Sequence, residues 1–169
     1  MRIVPIEPAQ HDALGDLTVA AYRGLPGSPT SDRYAAMLRD VAARARHAEV
    51  LVAVGDDGVL LGGVTYVGDP ASEWAEFDAA DEACFRMLAV ADEARGQGVG
   101  TALVQACIDR ARRDGKARLS LLTTDNMHAA HRLYERLGFR RSPESDMIVE
   151  NGLALRSYVF DFERALAGQ

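Results

Sequence analysis

The sequence predicts a single α/β domain built on one mixed β-sheet, antiparallel in its N-terminal half and with parallel central strands joined by crossover helices in its second half. Three observations support this class. The 169 residues fit one domain of ordinary size, and 48% of them are hydrophobic, which is enough for a substantial core. A Gly-Asp-Asp-Gly turn joins two apolar segments in the first half, as in an antiparallel hairpin. Strand-like and helix-like segments then alternate in the second half.

The N-terminal half is predicted to contain three strands and two helices. In chain order, the predicted elements are a strand at 2–6, a helix at 11–23, a loop at 24–29, a helix from about 31 to 47, and strands at 49–54 and 59–67 around a turn at 55–58. Ser31 or Asp32 is expected to cap the second helix. Arg39, Arg44 and Arg46 are expected to lie on its solvated face.

The C-terminal half is predicted to alternate strands and helices after a polar segment. The predicted elements are the polar segment at 68–81, a buried central strand at 82–90, a helix at 98–114, a strand at 118–123, a helix at 126–137 and a strand at 153–162. Asn126 is expected to cap the last of these helices. Gly115 and Gly138 follow the two helices, where a glycine commonly ends a helix in a left-handed conformation.

Composition and charge narrow the classes of function. The chain carries 19 basic and 25 acidic residues, and the net charge of −6 does not fit a nucleic-acid binder but is compatible with an amine substrate. Cys84 and Cys107 lie in apolar segments without a C-x-x-C pair, so neither a disulfide framework nor a metal site is expected. Residues 1–5 do not resemble a signal peptide, and no apolar run approaches the ~18 residues of a membrane span. We therefore expect a cytoplasmic protein that binds neither nucleic acid nor membrane.

The densest functional signal is a glycine-rich loop between a predicted strand and a predicted helix, Arg95-Gly96-Gln97-Gly98-Val99-Gly100. The first amides of a helix have no intrahelical partner, and the helix dipole favours negative charge at this end. Glycines let the chain turn tightly and let phosphate oxygens approach the backbone. The loop therefore has the properties of an anion-binding site.

Three interpretations of this loop compete when it is considered alone. A dinucleotide-binding loop requires G-x-G-x-x-G and an acid about 20 residues later. Here the spacing is G-x-G-x-G, and residues 118–120 contain no acid. A Walker loop requires a lysine before its threonine, whereas Gly100 precedes Thr101. The third interpretation is a tight strand–helix turn without a ligand.

Together with its surroundings, the loop resembles the GCN5-related N-acetyltransferase (GNAT) family. The resemblance rests on Phe-Arg-Met-Leu-Ala-Val at 85–90, the R-x-x-G-x-G loop, Asn126 with Ala129, and Leu-Tyr-Glu-Arg-Leu-Gly-Phe at 133–139. These motifs cover about residues 82–140, and the preceding order of elements also suits the family. One departure is Asp92, where the family often has proline, and we expect it to alter only the rigidity of the turn.

The resemblance implies the GNAT fold, with splayed central strands, and acetyl-CoA as the cosubstrate without a metal. Backbone groups of Leu88, Ala89 and Val90 would pair with the pantetheine arm, as an added strand would. One of their N–H groups would also polarise the thioester carbonyl. The residues implied in pyrophosphate and other CoA contacts are Arg95, Gly96, Gln97, Gly98, Val99, Gly100, Thr101 and Asn126.

The family's usual general acid corresponds to Tyr134, whose hydroxyl would protonate the departing CoA thiolate. Packing against Phe139 is the alternative explanation for a tyrosine at this position. A general base is expected to act through water on the attacking amine. Glu82, at the start of the central strand, is the first choice, and the alternatives are Glu76, Asp78 and Asp81.

The resemblance implies direct transfer to a small-molecule or peptide amine in a ternary complex. Residues 25–31, 68–81 and 143–158 are expected to select this acceptor. A non-catalytic CoA-binding sensor on the same fold is the alternative from another class of function, and a nucleotide-binding redox domain is a third. The resemblance also suggests a homodimer, because the family often pairs through its late strands.

Overall fold

The computed structural model describes residues 1–25, 30–149 and 152–168, in which one open β-sheet carries helices on both faces. The strands are β1 (Arg2–Pro5), β2 (Glu49–Val54), β3 (Leu60–Val67), β4 (Glu82–Val90), β5 (Arg118–Thr124), β6 (Arg140–Arg141), β7 (Met147–Ile148) and β8 (Ala154–Asp161). The helices are α1 (His11–Arg23), α2 (Asp32–Arg39), α3 (Val41–His47), α4 (Val99–Arg113), α5 (His128–Arg136) and α6 (Phe162–Ala167). Part of the loop predicted at 24–29, residues 26–29, lies outside the described residues.

The predicted mixed sheet is confirmed. Its strands follow the order β1-β2-β3-β4-β5-β8-β6, and β7 pairs with β8. β1 to β4 pair antiparallel, β4 and β5 pair parallel, and β5 pairs antiparallel with β8. The single parallel junction therefore lies at the centre of the sheet, where α4 makes the crossover from β4 to β5.

Alternate residues of the central strands point to opposite faces of the sheet. Both faces are buried because helices pack against each of them. On one face, α4 packs Leu103 and Cys107 against Leu51 and Ala53 of β2. On the other face, the intervening β2 residues, Val50, Val52 and Val54, pack with residues of α1 and α3. Cys84 and Cys107 are both buried free thiols.

The single helix predicted from about 31 to 47 is wrong, because the chain breaks at Asp40 into α2 and α3. Asp40 has a non-helical backbone, with φ −78° and ψ 71°. Its Oδ1 accepts a hydrogen bond from the Ala43 amide at 2.9 Å, which caps the N-terminus of α3. The cap that was predicted at the start of this region is present, since the Ser31 hydroxyl accepts from the Tyr34 amide at 3.1 Å.

The break also overturns the prediction that Arg44 lies on a solvated face, because its side chain is 1% exposed. Its Nη1 donates to the carbonyls of Leu38 at 2.7 Å and Met37 at 3.2 Å, both at the end of α2. Burial lowers the pKa of the guanidinium. Arg44 thus satisfies carbonyls that the interruption of the helix leaves without amide partners.

Replacing Arg44 by alanine is expected to lower the free energy of unfolding by about 3 kcal/mol, because two buried carbonyls lose their donor and the apolar stem is lost. Arg46→Ala is the matched control, since this arginine is exposed on the same helix. It should change stability by less than about 0.5 kcal/mol. Chemical denaturation measures both values, and equal losses for the two variants would contradict the capping role of Arg44.

The two predicted glycine-ended helices are confirmed. Gly115 and Gly138 have φ of 67° and 99° and follow α4 and α5. The Phe139 amide donates to the Tyr134 carbonyl at 3.0 Å, which closes α5 as a Schellman motif and carries the chain back towards the sheet. The prediction that Asn126 caps α5 is wrong: the helix begins at His128 with Met127 at the N-cap, so Asn126 lies in the turn before the cap.

Candidate active site

The central feature of the candidate site is a gap between β4 and β5. Their parallel pairing comprises only three residue pairs, from Glu82↔Arg118 to Cys84↔Ser120. Both strands continue beyond this pairing, to Val90 and Thr124, so the strands splay as the resemblance implied. A cavity of about 500 Å³ lies in this region, and Leu88, Leu121 and Tyr134 are among its lining residues.

A β-bulge shapes the β4 side of the gap. Thr65 of β3 pairs with Arg86 and Gly63 pairs with Ala89, so β4 contains one more residue than β3 over this stretch. Met87, inside the bulge, has φ 54°, the one positive value for a non-glycine residue over the ranges the structure describes. Its side chain is 6% exposed and packs in the cluster of α1 and α2 residues. This packing holds Met87 in a strained, left-handed backbone where it lines the cavity.

The glycine-rich loop forms the N-terminus of α4. Gly96 and Gly98 have φ of 74° and 81°, which side chains other than glycine rarely adopt. The first bond of the helix joins the Ala102 amide to the Gly98 carbonyl at 3.0 Å. The amides of Val99, Gly100 and Thr101 precede it and therefore have no intrahelical acceptor. A Cβ built on Gly96 or Gly98 meets no atom within 4 Å, so the loop borders open space that an anion can fill.

The polar side chains of this loop have distinct positions. Arg95 pairs with Asp92 at 2.8 Å, and its side chain is 56% exposed, so the guanidinium is accessible at the loop entrance. The Gln97 side chain donates to the Glu93 carbonyl at 2.8 Å, which braces the loop from within. The two predicted contacts Thr101 and Asn126 lie on the first turn of α4 and in the turn after β5.

The loop adjoins the gap through one close contact. A Cβ built on Gly100 would lie 3.6 Å from Leu133 Cδ1 and 3.7 Å from Val90 Cγ2. Leu133 belongs to α5 and immediately precedes Tyr134, while Val90 is the last residue of β4. The N-terminus of α4, the end of β4 and the segment of α5 that carries Tyr134 are therefore adjacent.

Tyr134 is 3% exposed and lies on the wall of the cavity. Its ring is packed among Phe85 at 5.9 Å, Phe139 at 6.0 Å and Tyr158 at 6.0 Å between centroids. The contact with Phe139 confirms the predicted packing role, which is compatible with a catalytic one. Burial, and secondarily the Cys107 thiol, raises the pKa of the phenol, so it stays protonated through the neutral range.

A second polar group in the cavity is an ion pair between Glu76 and Arg86. Arg86 Nε lies 3.1 Å from Glu76 Oε1, and the side chains are 24% and 17% exposed. Burial raises the pKa of the Glu76 carboxyl, and Arg86 opposes this shift. The pair places a carboxylate, one of the four acids proposed as a base, at the same cavity as Tyr134.

Glu82, the first choice for the base, lies elsewhere. Its Oε1 is 3.4 Å from Arg118 Nη1, and it lines the neighbouring groove of about 680 Å³ beside β8, whose lining also includes Glu76. Asp78 and Asp81 are exposed. The structure thus brings Tyr134 together with Glu76 and places the other three acids away from the cavity lining.

Sequence reasoning missed several polar residues of the cavity, among them Arg86, Tyr22 and Tyr34. Arg86 carried a recognisable signal, because a charged residue in the middle of an apolar strand requires a partner when it is buried. Tyr22 and Tyr34 could not be recognised from the sequence, because the periodicity of a helix does not distinguish residues that line a cavity from residues of the core. All three segments predicted to select the acceptor contribute lining residues, including Leu25, Glu76 and Leu155; residues 26–29, 150 and 151 of these segments lie outside the described part of the chain.

Over the described residues, no cluster of His, Cys, Asp and Glu side chains suits a metal ion. Within the same ranges, none of the helices is long and apolar enough to span a membrane.

The known proteins to which this chain is similar are acetyltransferases. The chain matches the model of the Acetyltransferase (GNAT) family over residues 12–139. It is 46% identical over 55 residues to N-alpha-acetyltransferase 30 of Schizosaccharomyces pombe, a match covering 32% of this chain and 37% of that protein. It is 42% identical over 65 residues to the probable N-acetyltransferase camello of Xenopus tropicalis, covering 38% of this chain and 30% of that protein. The chain thus matches about a third of the length of each curated relative.

Similar solved structures cover nearly the whole chain. The putative acetyltransferase yncA from Salmonella typhimurium, solved with its cofactor acetyl-CoA, has a TM-score of 0.71 and 24% identity, covering 95% of this chain and 93% of that one. A GNAT acetyltransferase from Staphylococcus aureus Mu50 has a TM-score of 0.74 and 13% identity, covering 95% and 98%. The ribosomal-protein-alanine N-acetyltransferase from Brucella melitensis has a TM-score of 0.71 and 19% identity, covering 96% and 100%. At these identities the likeness establishes a shared fold.

Proposed function

The chain belongs to the GNAT acetyltransferase family, and from this premise we propose that it transfers an acetyl group from acetyl-CoA to a primary amine by direct attack in a ternary complex. The proposal rests on the adjacency of three features: a helix N-terminus with free amides, the splayed edge of β4 and the buried phenol of Tyr134. A cytoplasmic location and a homodimer remain predictions.

The N-terminus of α4 and the end of β4 fit acetyl-CoA, which supplies the activated acetyl thioester. The amides of Val99, Gly100 and Thr101 would bind pyrophosphate oxygens, and the open space at Gly96 and Gly98 admits them. The backbone of 88–90 extends past the pairing with β5 and can bond the pantetheine arm as an added strand. Arg95 adds an exposed cation at the loop entrance, and Asn126 is a further proposed contact.

Two side chains have complementary proton-transfer roles. Glu76 accepts, directly or through water, the proton that the ammonium of the acceptor must lose before attack. As the new C–N bond forms and the C–S bond breaks, Tyr134 donates its phenolic proton to the departing sulfur and later regains one from solvent. Desolvation raises the pKa of the Tyr134 phenol, and it also raises the pKa of the CoA thiol in the same cavity. The pKa values of the proton donor and of the group that receives the proton therefore remain close.

Replacing Glu76 by glutamine is expected to lower kcat/KM for the amine by roughly 10²-fold. Because burial raises the pKa of Glu76, the carboxylate forms only above the usual pH range of a glutamate. The acidic limb of the kcat/KM profile should therefore lie above the ordinary value of 4.5 and disappear in the variant. Glu82→Gln, measured in parallel, tests the other candidate: a loss confined to that variant would assign the base to Glu82.

Thermal unfolding with ligands tests which cofactor binds. Acetyl-CoA at about 100 times its Kd should stabilise the folded protein by about 2.7 kcal/mol, and NAD should not. For a chain of this size this corresponds to a rise in Tm of roughly 5–10 °C. Equal stabilisation by NAD would favour the redox alternative. Stabilisation by acetyl-CoA without turnover of any amine in a broad panel would favour the non-catalytic sensor.

A further inference from the structure

The cavity between β4 and β5 combines apolar walls with one internal ion pair. Tyr22 and Tyr34 form part of the wall and meet edge to face, with 6.1 Å between ring centroids. Most of the remaining lining is apolar, including Leu121, Val149 and Leu155, and Ser31, Thr123 and Thr124 add hydroxyl groups. The Glu76–Arg86 pair therefore stands out as a pair of opposite charges at a surface that otherwise binds an apolar group.

The guanidinium of Arg86 is held on three sides. Its Nε pairs with Glu76 Oε1 at 3.1 Å, and its Nη1 donates to the Trp74 carbonyl at 3.1 Å. The Trp74 ring also lies 5.7 Å from the guanidinium carbon, within cation–π distance. Arg86 Nη2 takes no part in these two polar contacts, and the ion pair uses only one oxygen of Glu76. A fixed donor and a fixed acceptor of opposite charge thus remain side by side.

An α-amino acid carries the complementary pair of charges on one carbon atom. Its ammonium can donate to Glu76 while its carboxylate accepts from Arg86, and its side chain can extend along the tyrosine and leucine wall. Resting on the proposed acetyl transfer, we propose that the acceptor is a free α-amino acid with an apolar side chain. Its α-amine would gain the acetyl group, with Glu76 taking the proton and Tyr134 protonating the leaving sulfur.

Other amines satisfy this arrangement less well. A simple alkylamine offers no carboxylate, so it adds a cation beside Arg86 without binding it. A peptide N-terminus presents a neutral amide where the free amino acid has its carboxylate. An analogue without the carboxylate makes no charge-assisted hydrogen bond to Arg86, so the site should discriminate against it.

The experiment compares matched acceptors that differ only in the α-carboxylate. The acceptors are L-leucine and L-phenylalanine, their primary amides, and the decarboxylated amines isoamylamine and phenethylamine. We expect kcat/KM for each amino acid to exceed that of its amide and its amine by roughly 10²-fold or more. Arg86→Gln should reduce this ratio to near one, whereas Arg39→Gln should preserve it, because Arg39 belongs to an exposed ion pair with Asp16.

The outcomes separate this inference from the proposed function. Equal or better turnover of the amides and amines by the unmodified protein would overturn the inference and leave acetyl transfer standing. Loss of all turnover in Arg86→Gln still leaves that comparison decisive, and thermal stabilisation by acetyl-CoA reports whether the variant is folded. Binding of acetyl-CoA without turnover of any of these six acceptors would overturn the inference, whereas only the absence of turnover across the broad amine panel would overturn the proposed function.

Discussion

Replacing Tyr134 by phenylalanine is expected to lower kcat by roughly 10²- to 10⁴-fold with both substrates saturating, because the departing thiolate loses its proton donor. The fold should persist, since the ring keeps its contacts with Phe85 and Phe139 and only the hydroxyl is removed. The Kd for acetyl-CoA should change little. Steady-state kinetics together with a ligand titration separates the two quantities.

Tyr158→Phe is the matched control for this prediction. Tyr158 is also 3% exposed and its ring lies 6.0 Å from that of Tyr134. Its hydroxyl, however, donates to Glu135 at 3.4 Å, and the residue does not line the cavity between β4 and β5. The control should retain kcat within about threefold, as expected for a residue without a role in proton transfer. An unchanged kcat in Tyr134→Phe would leave that residue with packing alone.

Replacing Gly98 by alanine is expected to weaken acetyl-CoA binding by roughly 10- to 100-fold, equivalent to about 1.4–2.7 kcal/mol. The new methyl group projects from a residue with φ 81° into the open space beside the free amides of α4. It would therefore occupy the position that a phosphate oxygen needs. Isothermal titration with acetyl-CoA measures the effect directly.

Gly58→Ala separates ligand exclusion from backbone strain. Gly58 has φ 83° and also meets no atom within 4 Å, but it lies in the turn between β2 and β3. Both substitutions should lower stability by a similar amount, on the order of 1 kcal/mol, because both force alanine into a left-handed conformation. Only Gly98→Ala should change the affinity for acetyl-CoA. Equal affinities for the two variants would remove the α4 N-terminus from the binding site.

The sequence predicted the features that depend on local chemistry. The glycine-rich loop, the two glycine-ended helices and the hairpin turn each require a left-handed backbone that glycine adopts at low cost. The central strand at Glu82–Val90 was predicted with the bounds that the structure has, because a largely apolar run lies between two polar segments. The helix end at Gly138 likewise predicted the packing of Phe139 against Tyr134, whereas the role of Tyr134 at the acetyl-CoA site was implied by the resemblance to the GNAT family.

Features that depend on contacts between distant segments were not predictable. Arg44 appears on a helical face that periodicity marks as solvated, yet the break at Asp40 turns it towards the carbonyls of α2. Among four nearby acids, only tertiary packing distinguishes Glu76 from Glu82, because the first folds back against Arg86 and the second pairs with Arg118. The bulge at Met87 likewise follows from the register between β3 and β4, which no single strand encodes.

The most direct test of acetyl transfer is to incubate the protein with acetyl-CoA and an amine and to measure free CoA thiol and acetylated product together. Mass spectrometry of the amine and a thiol-reactive reagent provide the two readings. The proposed function predicts one acetylated amine per CoA released, with both rates depending on the amine and both falling together in Tyr134→Phe. Release of CoA that does not depend on the amine, or tight binding of acetyl-CoA with no acetylated product from any amine tested, would contradict it.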